Sequence, residues 1–221
     1  QADALMHAVR PVVLLGTLGR LLLMLSALSV IPALAALGPG DPALAIRSAA
    51  TAALLAVAGG LLARMPRSRD IQWNEALAVA ALAFLLAALV LVWPLLTADI
   101  TLVDAWFEAV SAVTTTGLTT VVGMQDQTQG FLFARAWAQW YGGLGIGVLT
   151  VALIMRHHAS SRRLLQTTGE SLTAAGAHAH AKRVFSVYVT LTVIGIGVVW
   201  ASGLPLFSAL VHGLAAVATG G

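Results

Sequence analysis

The amino-acid sequence predicts an all-α polytopic membrane protein: two N-terminal spanning helices, then parallel span–pore helix–span repeats with re-entrant filter loops. Three observations predict it. The chain has 221 residues, of which 59% are hydrophobic and only 10% charged, where soluble domains carry about 25% charged residues. Apolar runs long enough for the roughly 20 residues of a membrane crossing recur along it. Twice, a shorter apolar run ends in a small patch of Thr and Gly, where no spanning helix would continue.

Val12–Leu37 is the first span, with Pro32 near its far end. It is longer than the apolar core of a secretory signal, about 7–15 residues, and so reads as a membrane helix. Gly38-Pro39-Gly40-Asp41-Pro42 is a turn. Ala43–Ala63 is the second span, closed by the basic break Arg64–Asp70. Trp73–Leu96 is the third, with Trp73 and Trp93 placed as interfacial anchors. Thr101-x-x-Asp104 is a helix-starting capping box. The helix it starts, Asp104–Thr115, makes about three turns and is too short to cross. Val121–Gln129 is a polar return and Phe131–Met155 the fourth span. Arg156–Lys182 is a basic connector, part of it an amphipathic surface helix. Val184–Leu204 is the fifth span, and Pro205–Gly221 is short again. The organisation is therefore 1–70, the N-terminal pair; 71–158, the first repeat; 159–182, the cytoplasmic connector; and 183–221, the second repeat as far as its filter.

The stretch Ala109–Thr120 organises the rest. Thr114, Thr115, Thr116 and Thr119 surround Gly117, and consecutive β-branched residues with Gly do not sustain a helix. Inside a bilayer, non-helical backbone survives only when protein buries it or when it lines a water-filled cavity. A short helix ending in an extended Thr-Thr-Gly turn suits a filter, because main-chain carbonyls can replace a cation's water shell. Gly permits the torsions that point them inward.

Charge sets the orientation. The net charge is only +3, and the sequence pI of 10.2 comes from basic residues in short loops, which is a topology pattern and not a nucleic-acid footprint. Arg64, Arg67, Arg69, Arg156, Arg162, Arg163, Lys182 and Arg183 fall on one side, and Asp41, Asp99, Asp104, Glu108 and Asp126 on the other. The positive-inside rule makes the Arg loops cytoplasmic and the filter mouth external. Acidic surroundings at that mouth raise the local cation concentration. There are no cysteines, which excludes disulfides and thiolate chemistry.

The chain also repeats itself. Leu102–Gly117 laid on Leu206–Gly221, an offset of 104 (206 − 102), gives identities at Leu102/Leu206, Ala105/Ala209, Ala112/Ala216, Val113/Val217, Thr115/Thr219 and Gly117/Gly221. Both copies enter from the same side, so they are parallel repeats about an axis along the membrane normal.

Asp104–Gly117 resembles the first pore-loop motif of the Trk/Ktr/HKT superfamily of potassium transporters. Arg135–Ile146 resembles the start of the following helix in its TrkH branch, and Leu206–Gly221 resembles the second pore loop. The two spans before Trp73 match the extra N-terminal pair of TrkH-type members. The resemblance implies the N-terminal half of a potassium uptake protein of the bacterial inner membrane, with the first two of four repeats. It implies potassium-coordinating carbonyls from Thr115, Thr116 and Gly117 in one strand and from Thr219, Gly220 and Gly221 in the other. Ala218 stands where the family often has Ser. The lipid bilayer, a second copy of the chain in a homodimer, and a cytosolic nucleotide-binding regulatory subunit are the partners it implies. No cofactor is implied besides the transported ion. The expectation is that a longer chain, in preference to another subunit, completes the ring of carbonyls; Gln1 likewise points to a start lying upstream.

Several residues carry two readings. Thr114, Glu108, Arg135 and His212 are candidates for filter support. Arg135 by default snorkels to the outer surface; the alternative is a brace to Glu108 or Asp126. Glu108 and its repeat partner His212 are ionisable groups at membrane depth, fit either to brace the short helix or to touch ions. The Gly142–Gly147 cluster lies inside an apolar span with no strand before it, so close helix packing through Gly143-x-x-x-Gly147 displaces a nucleotide-loop reading. His157, His158, His178 and His180 read as solvated loop residues and not as a metal site. No nucleophile–base pair stands out, so an enzyme is not expected. The rival is a non-conducting membrane scaffold or partial subunit with a transporter-derived fold.

Overall fold

The computed structural model describes residues 10–38, 40–66, 72–163 and 174–220, without the side chains of Trp73 and of residues 151–180. Among these residues seven α-helices follow one another: α1 Pro11–Leu37, α2 Pro42–Leu62, α3 Trp73–Leu95, α4 Leu102–Val113, α5 Gln129–Arg163, α6 Ala174–Ala201 and α7 Leu206–Val217. Short 3-10 turns at Leu96–Ala98 and Met124–Asp126 complete the order, and no strand occurs among the described residues. Among the described residues, four helical stretches are long and apolar enough to cross a membrane: Pro11–Leu37, Pro42–Leu62, Asn74–Ala98 and Ala181–Ala201. The expected fourth span lies within α5, whose 35 residues give a rod of roughly 50 Å at 1.5 Å per residue.

The chain divides into two compact bodies. The first runs to Val113 and includes Leu118–Arg135; the second comprises Thr114–Gly117 and Ala136–Gly221.

In the first body α1 and α2 form an antiparallel hairpin held by close backbone approach. A Cβ built on Gly59 would stand 2.8 Å from the Gly19 carbonyl oxygen and 2.8 Å from the Leu23 nitrogen. Ser26 Oγ reaches across to donate to the Ala52 carbonyl at 2.7 Å. Asp41 caps α2, accepting from the Leu44 amide at 3.1 Å, and also accepts from Thr128 Oγ1 at 2.7 Å. It thereby ties the start of α2 to the start of α5. At the other end, Arg10 forks onto Glu75 at the first turn of α3, with Nε to Oε1 at 2.8 Å and Nη2 to Oε2 at 2.9 Å. Helix α4 packs on α3. In the second body α7 packs on α6 in the corresponding way, with Gly213 seated on Ile196.

The backbone restates the repeat. Helices α4 and α7 each have 12 residues, and their bounds differ by the same 104 (206 − 102 and 217 − 113). The turns before them carry left-handed residues at equivalent positions, Asp99 at φ 52° and Gly203 at φ 97°. The turns after them do so again, with Thr115 at φ 59° and Thr219 at φ 60°.

Several boundaries differ from those expected. Helix α4 begins at Leu102, directly after its Thr101 cap, and stops at Val113 because the chain turns left-handed at Thr115. Helix α5 continues to Arg163 and α6 begins at Ala174, so most of the expected connector is helical extension. Residues 164–173, Arg67, Arg69 and Gly221 lie outside the described residues.

Candidate filter strands and their supports

The first candidate strand is entered from α4. Thr101 Oγ1 accepts from the Asp104 amide at 3.2 Å and donates to the Asp104 carboxylate, which is the capping box the sequence contains. The Thr101 hydroxyl first, and then the Thr120 hydroxyl, hold the Asp104 carboxyl below the usual carboxylate range. The helix is strongly amphipathic, with Ala105, Glu108, Ala109, Ser111, Ala112 and Val113 buried.

Glu108 is fully buried, at 0% exposure, and both of its carboxylate oxygens are engaged. Oε1 accepts from Thr119 Oγ1 at 2.6 Å and from the Thr120 amide at 2.8 Å. Oε2 accepts from Arg135 Nε at 2.7 Å. A buried carboxylate is tolerable only when paired and hydrogen-bonded in this way. Arg135 Nη2 also donates to the Leu118 carbonyl at 2.9 Å, and Ser111 Oγ donates to the same oxygen at 2.6 Å. Four donors from α4, α5 and the loop thus fix Leu118–Thr120, the chain that leaves the strand. Arg135 does not snorkel free; it pairs with Glu108. His212, the repeat partner of Glu108, is exposed.

In the second body the two candidate strands meet. Gly117 has φ 78°, and a Cβ built on it would overlap the carbonyl oxygen of Gly220. Glycine is therefore required there twice over, by torsion and by space. The hydroxyls of Thr114 and Thr116 lie 2.8 Å apart. Thr115 is half-buried, Thr116 and Thr219 are exposed, and Gly220 is buried.

A residue the sequence reading passed over faces Gly220. Gln139 is 1% exposed, and its Nε2 donates to the Gly220 carbonyl at 3.1 Å. The signal was present in the sequence, since an amide inside an apolar helix has to find a partner. Next to it, Trp140 Nε1 donates to Thr192 Oγ1 at 2.9 Å, and Tyr188 Oη donates to the Trp140 carbonyl at 2.9 Å. Gly143 admits this packing, because a Cβ there would meet Tyr188 Oη at 2.7 Å and Ala218 Cβ at 3.0 Å. Gly147 has open space around it, so only the first glycine of the pair packs closely. His157, His158, His178 and His180 fall where no side chain is described.

The family model of the TrkH cation transport proteins matches residues 46–221. The chain belongs to the TrkH family. Its relatives include the Trk system potassium uptake protein TrkH of Halomonas elongata, 31% identical over 220 residues, which span 94% of this chain and 45% of that protein. The TrkH of Salmonella typhimurium is 34% identical over 128 residues, 56% of this chain and 26% of that protein. The crystal structure of the potassium transporter TrkH from Vibrio parahaemolyticus superposes with a TM-score of 0.77 at 27% identity, over 93% of this chain and 42% of that one. The chain thus spans less than half the length of these TrkH relatives. The TrkH family is one of membrane transporters and not of enzymes.

Proposed function

We propose that this chain forms the first half of a potassium uptake pore. Potassium would be bound by main-chain carbonyls of Thr115, Thr116 and Gly117 in one re-entrant strand and of Thr219, Gly220 and Gly221 in the other. The observation that carries the reading is the duplicated turn. Two helices of 12 residues, each about 18 Å long and too short to cross a bilayer, both end in a left-handed Thr. The two strands then meet at Gly117 and Gly220. Names of relatives at 31% and 34% identity that describe potassium uptake support the choice of ion.

Ions would enter at the acidic face, shed water onto carbonyls, and move inward down the membrane potential, worth about 2.3 kcal/mol per charge per 100 mV. Thr114, Glu108 and Arg135 support the first strand; His212 is the candidate support of the second. The site of action is the bacterial inner membrane, with the Arg-rich loops cytoplasmic and available to a nucleotide-binding regulator, and with a second copy of the chain as the dimer partner.

The test is rubidium and potassium uptake in a strain lacking its own potassium transport. The full gene product should restore growth at low potassium. Gly117→Asp should abolish uptake at an unchanged protein level, because any side chain at 117 meets the Gly220 carbonyl. An intact gene that is expressed, reaches the membrane and restores nothing would refute the reading and leave the scaffold alternative standing.

A further inference from the structure

We infer that Gln139 is a positioning residue of the second filter strand: its side-chain amide fixes the Gly220 carbonyl and, through it, the gap to Gly117. The inference rests on the filter reading above and goes beyond it, since the sequence motifs point only to the strands themselves. Three observations carry it.

First, Gln139 is 1% exposed within α5 and spends one of its two amide protons on Gly220 at 3.1 Å. Second, the Gly220 oxygen occupies the space where a Cβ on Gly117 would lie. A shift of that carbonyl therefore changes the distance between the strands directly. Third, the stretch of α5 bearing Gln139 is itself pinned. Tyr188 holds the Trp140 carbonyl, Thr192 holds the Trp140 indole, and Gly143 lets Ala218 approach to contact distance. The amide is presented from a fixed helix to a peptide group that stands against Gly117 of the other strand.

A carbonyl oxygen has two lone pairs. The amide takes one and orients the other, so a filter oxygen can be aimed without being consumed. Losing the donor leaves a buried carbonyl unsatisfied and free to rotate.

The test uses the full gene product in the uptake assay, scored per molecule of protein in the membrane. Gln139→Leu removes the donor at similar volume. Gln139→Glu replaces it with a carboxyl that donates only when protonated. Each should raise the half-saturating potassium or rubidium concentration roughly tenfold and lower the preference for potassium over sodium. The Gln139→Glu defect should shrink as the external pH is lowered, because the protonated acid restores the donor; a packing role would not produce that pH profile.

A second arm separates positioning from space-filling. A methyl on Gly220 would lie 2.9 Å from the Gln139 amide, so Gly220→Ala alone should impair selectivity. If Gln139 only fills space, Gln139→Ala with Gly220→Ala should recover it. If Gln139 aims the carbonyl, the double variant stays impaired. Recovery in the double variant would overturn the inference. So would unchanged affinity and selectivity in Gln139→Leu and Gln139→Glu while Gly117→Asp still abolishes uptake. Failure of the intact gene to transport at all would instead count against the filter reading.

Discussion

Replacing Arg135 by Met is the perturbation that most sharply tests how the first strand is held. The Arg135 side chain is 12% exposed and its partner Glu108 is 0% exposed. Removing the guanidinium leaves a buried carboxylate without its cation, which costs about 3–5 kcal/mol when one side of a buried pair is deleted. It also takes one of two donors from the Leu118 carbonyl. Adding Glu108→Gln to Arg135→Met removes the stranded charge. The new amide oxygen can still accept from Thr119 and Thr120 in place of Oε1. The double variant should therefore be more stable than Arg135→Met alone, by about 2 kcal/mol. Thermal unfolding in detergent, followed through the six tryptophans, reads both. For a domain of 150–250 residues about 1 kcal/mol moves the midpoint by roughly 2–4 °C, so the single variant should fall by roughly 6–20 °C. If Arg135 merely snorkelled, its loss would stay within about 0.5 kcal/mol. Equal midpoints for the single and double variants, or no shift in the single one, would refute the brace.

Other outcomes follow from particular contacts. Gly143→Ala should destabilise the protein by about 1–3 kcal/mol, as overpacking does, because its Cβ would press on Tyr188 and Ala218. Gly147→Ala, in open space, should be neutral or stabilising by up to about 1 kcal/mol, since Ala is the better helix former; matching midpoints for the two would contradict the packing. Arg10→Lys replaces a two-pronged grip on Glu75, at 2.8 and 2.9 Å, by a single point charge, and the two residues are not interchangeable at such a site. Arg10 is 42% exposed, so solvent screening keeps the loss to roughly 1 kcal/mol, visible as a lower unfolding midpoint that falls further in Arg10→Met. The Asp104 cap should show a pH dependence of definite sign. Its carboxyl titrates lower when folded than when unfolded, so its contribution is present at neutral pH and lost as pH falls through the folded value. The midpoint difference between the wild-type protein and Asp104→Asn should therefore narrow in acid.

Much of this fold was legible because length and hydropathy decide a membrane helix almost alone. Val12–Leu37, Ala43–Ala63 and Trp73–Leu96 lie within a residue of α1, α2 and α3. The repeat was legible from six identities, and the backbone restates it in helix bounds and torsions. The end of α4 was not, because no propensity marks a Thr for left-handed torsion; only the chain around Thr115 imposes φ 59° there. From sequence the connector is only partly helical, because charge and Ser thin out the apolar signal near Arg163, although helical hydrogen bonding does not require an apolar face. Arg135 was open between two roles, since sequence spacing cannot tell a side chain that reaches solvent from one that reaches a carboxylate 27 residues earlier. Gln139 stands out as an amide within an apolar helix, but what it binds is hidden for a related reason. Its partner, the carbonyl of Gly220, is a main-chain atom 81 residues away, and main-chain acceptors leave no trace in the sequence.

The same distinction bears on why the two turns use threonine at their left-handed position. Thr115 at φ 59° and Thr219 at φ 60° each cost about 1–3 kcal/mol that glycine would not. A turn needed only to reverse the chain would take glycine there. A β-branched residue held in that well has few neighbouring wells to visit, so the direction of its carbonyl is set more narrowly than glycine could set it. Beside it, Gly117 is small because the Gly220 carbonyl leaves no room for a Cβ. Each strand thus combines a stiff residue with a small one. Glu108, Ser111 and Arg135 hold the chain leaving the first strand, and Gln139 holds Gly220 in the second. The two copies share their main-chain torsions, while the position that is a buried Glu in the first, Glu108, is an exposed His in the second, His212. If main-chain oxygens are the working atoms, as proposed above, the torsions are the part that each copy has to keep.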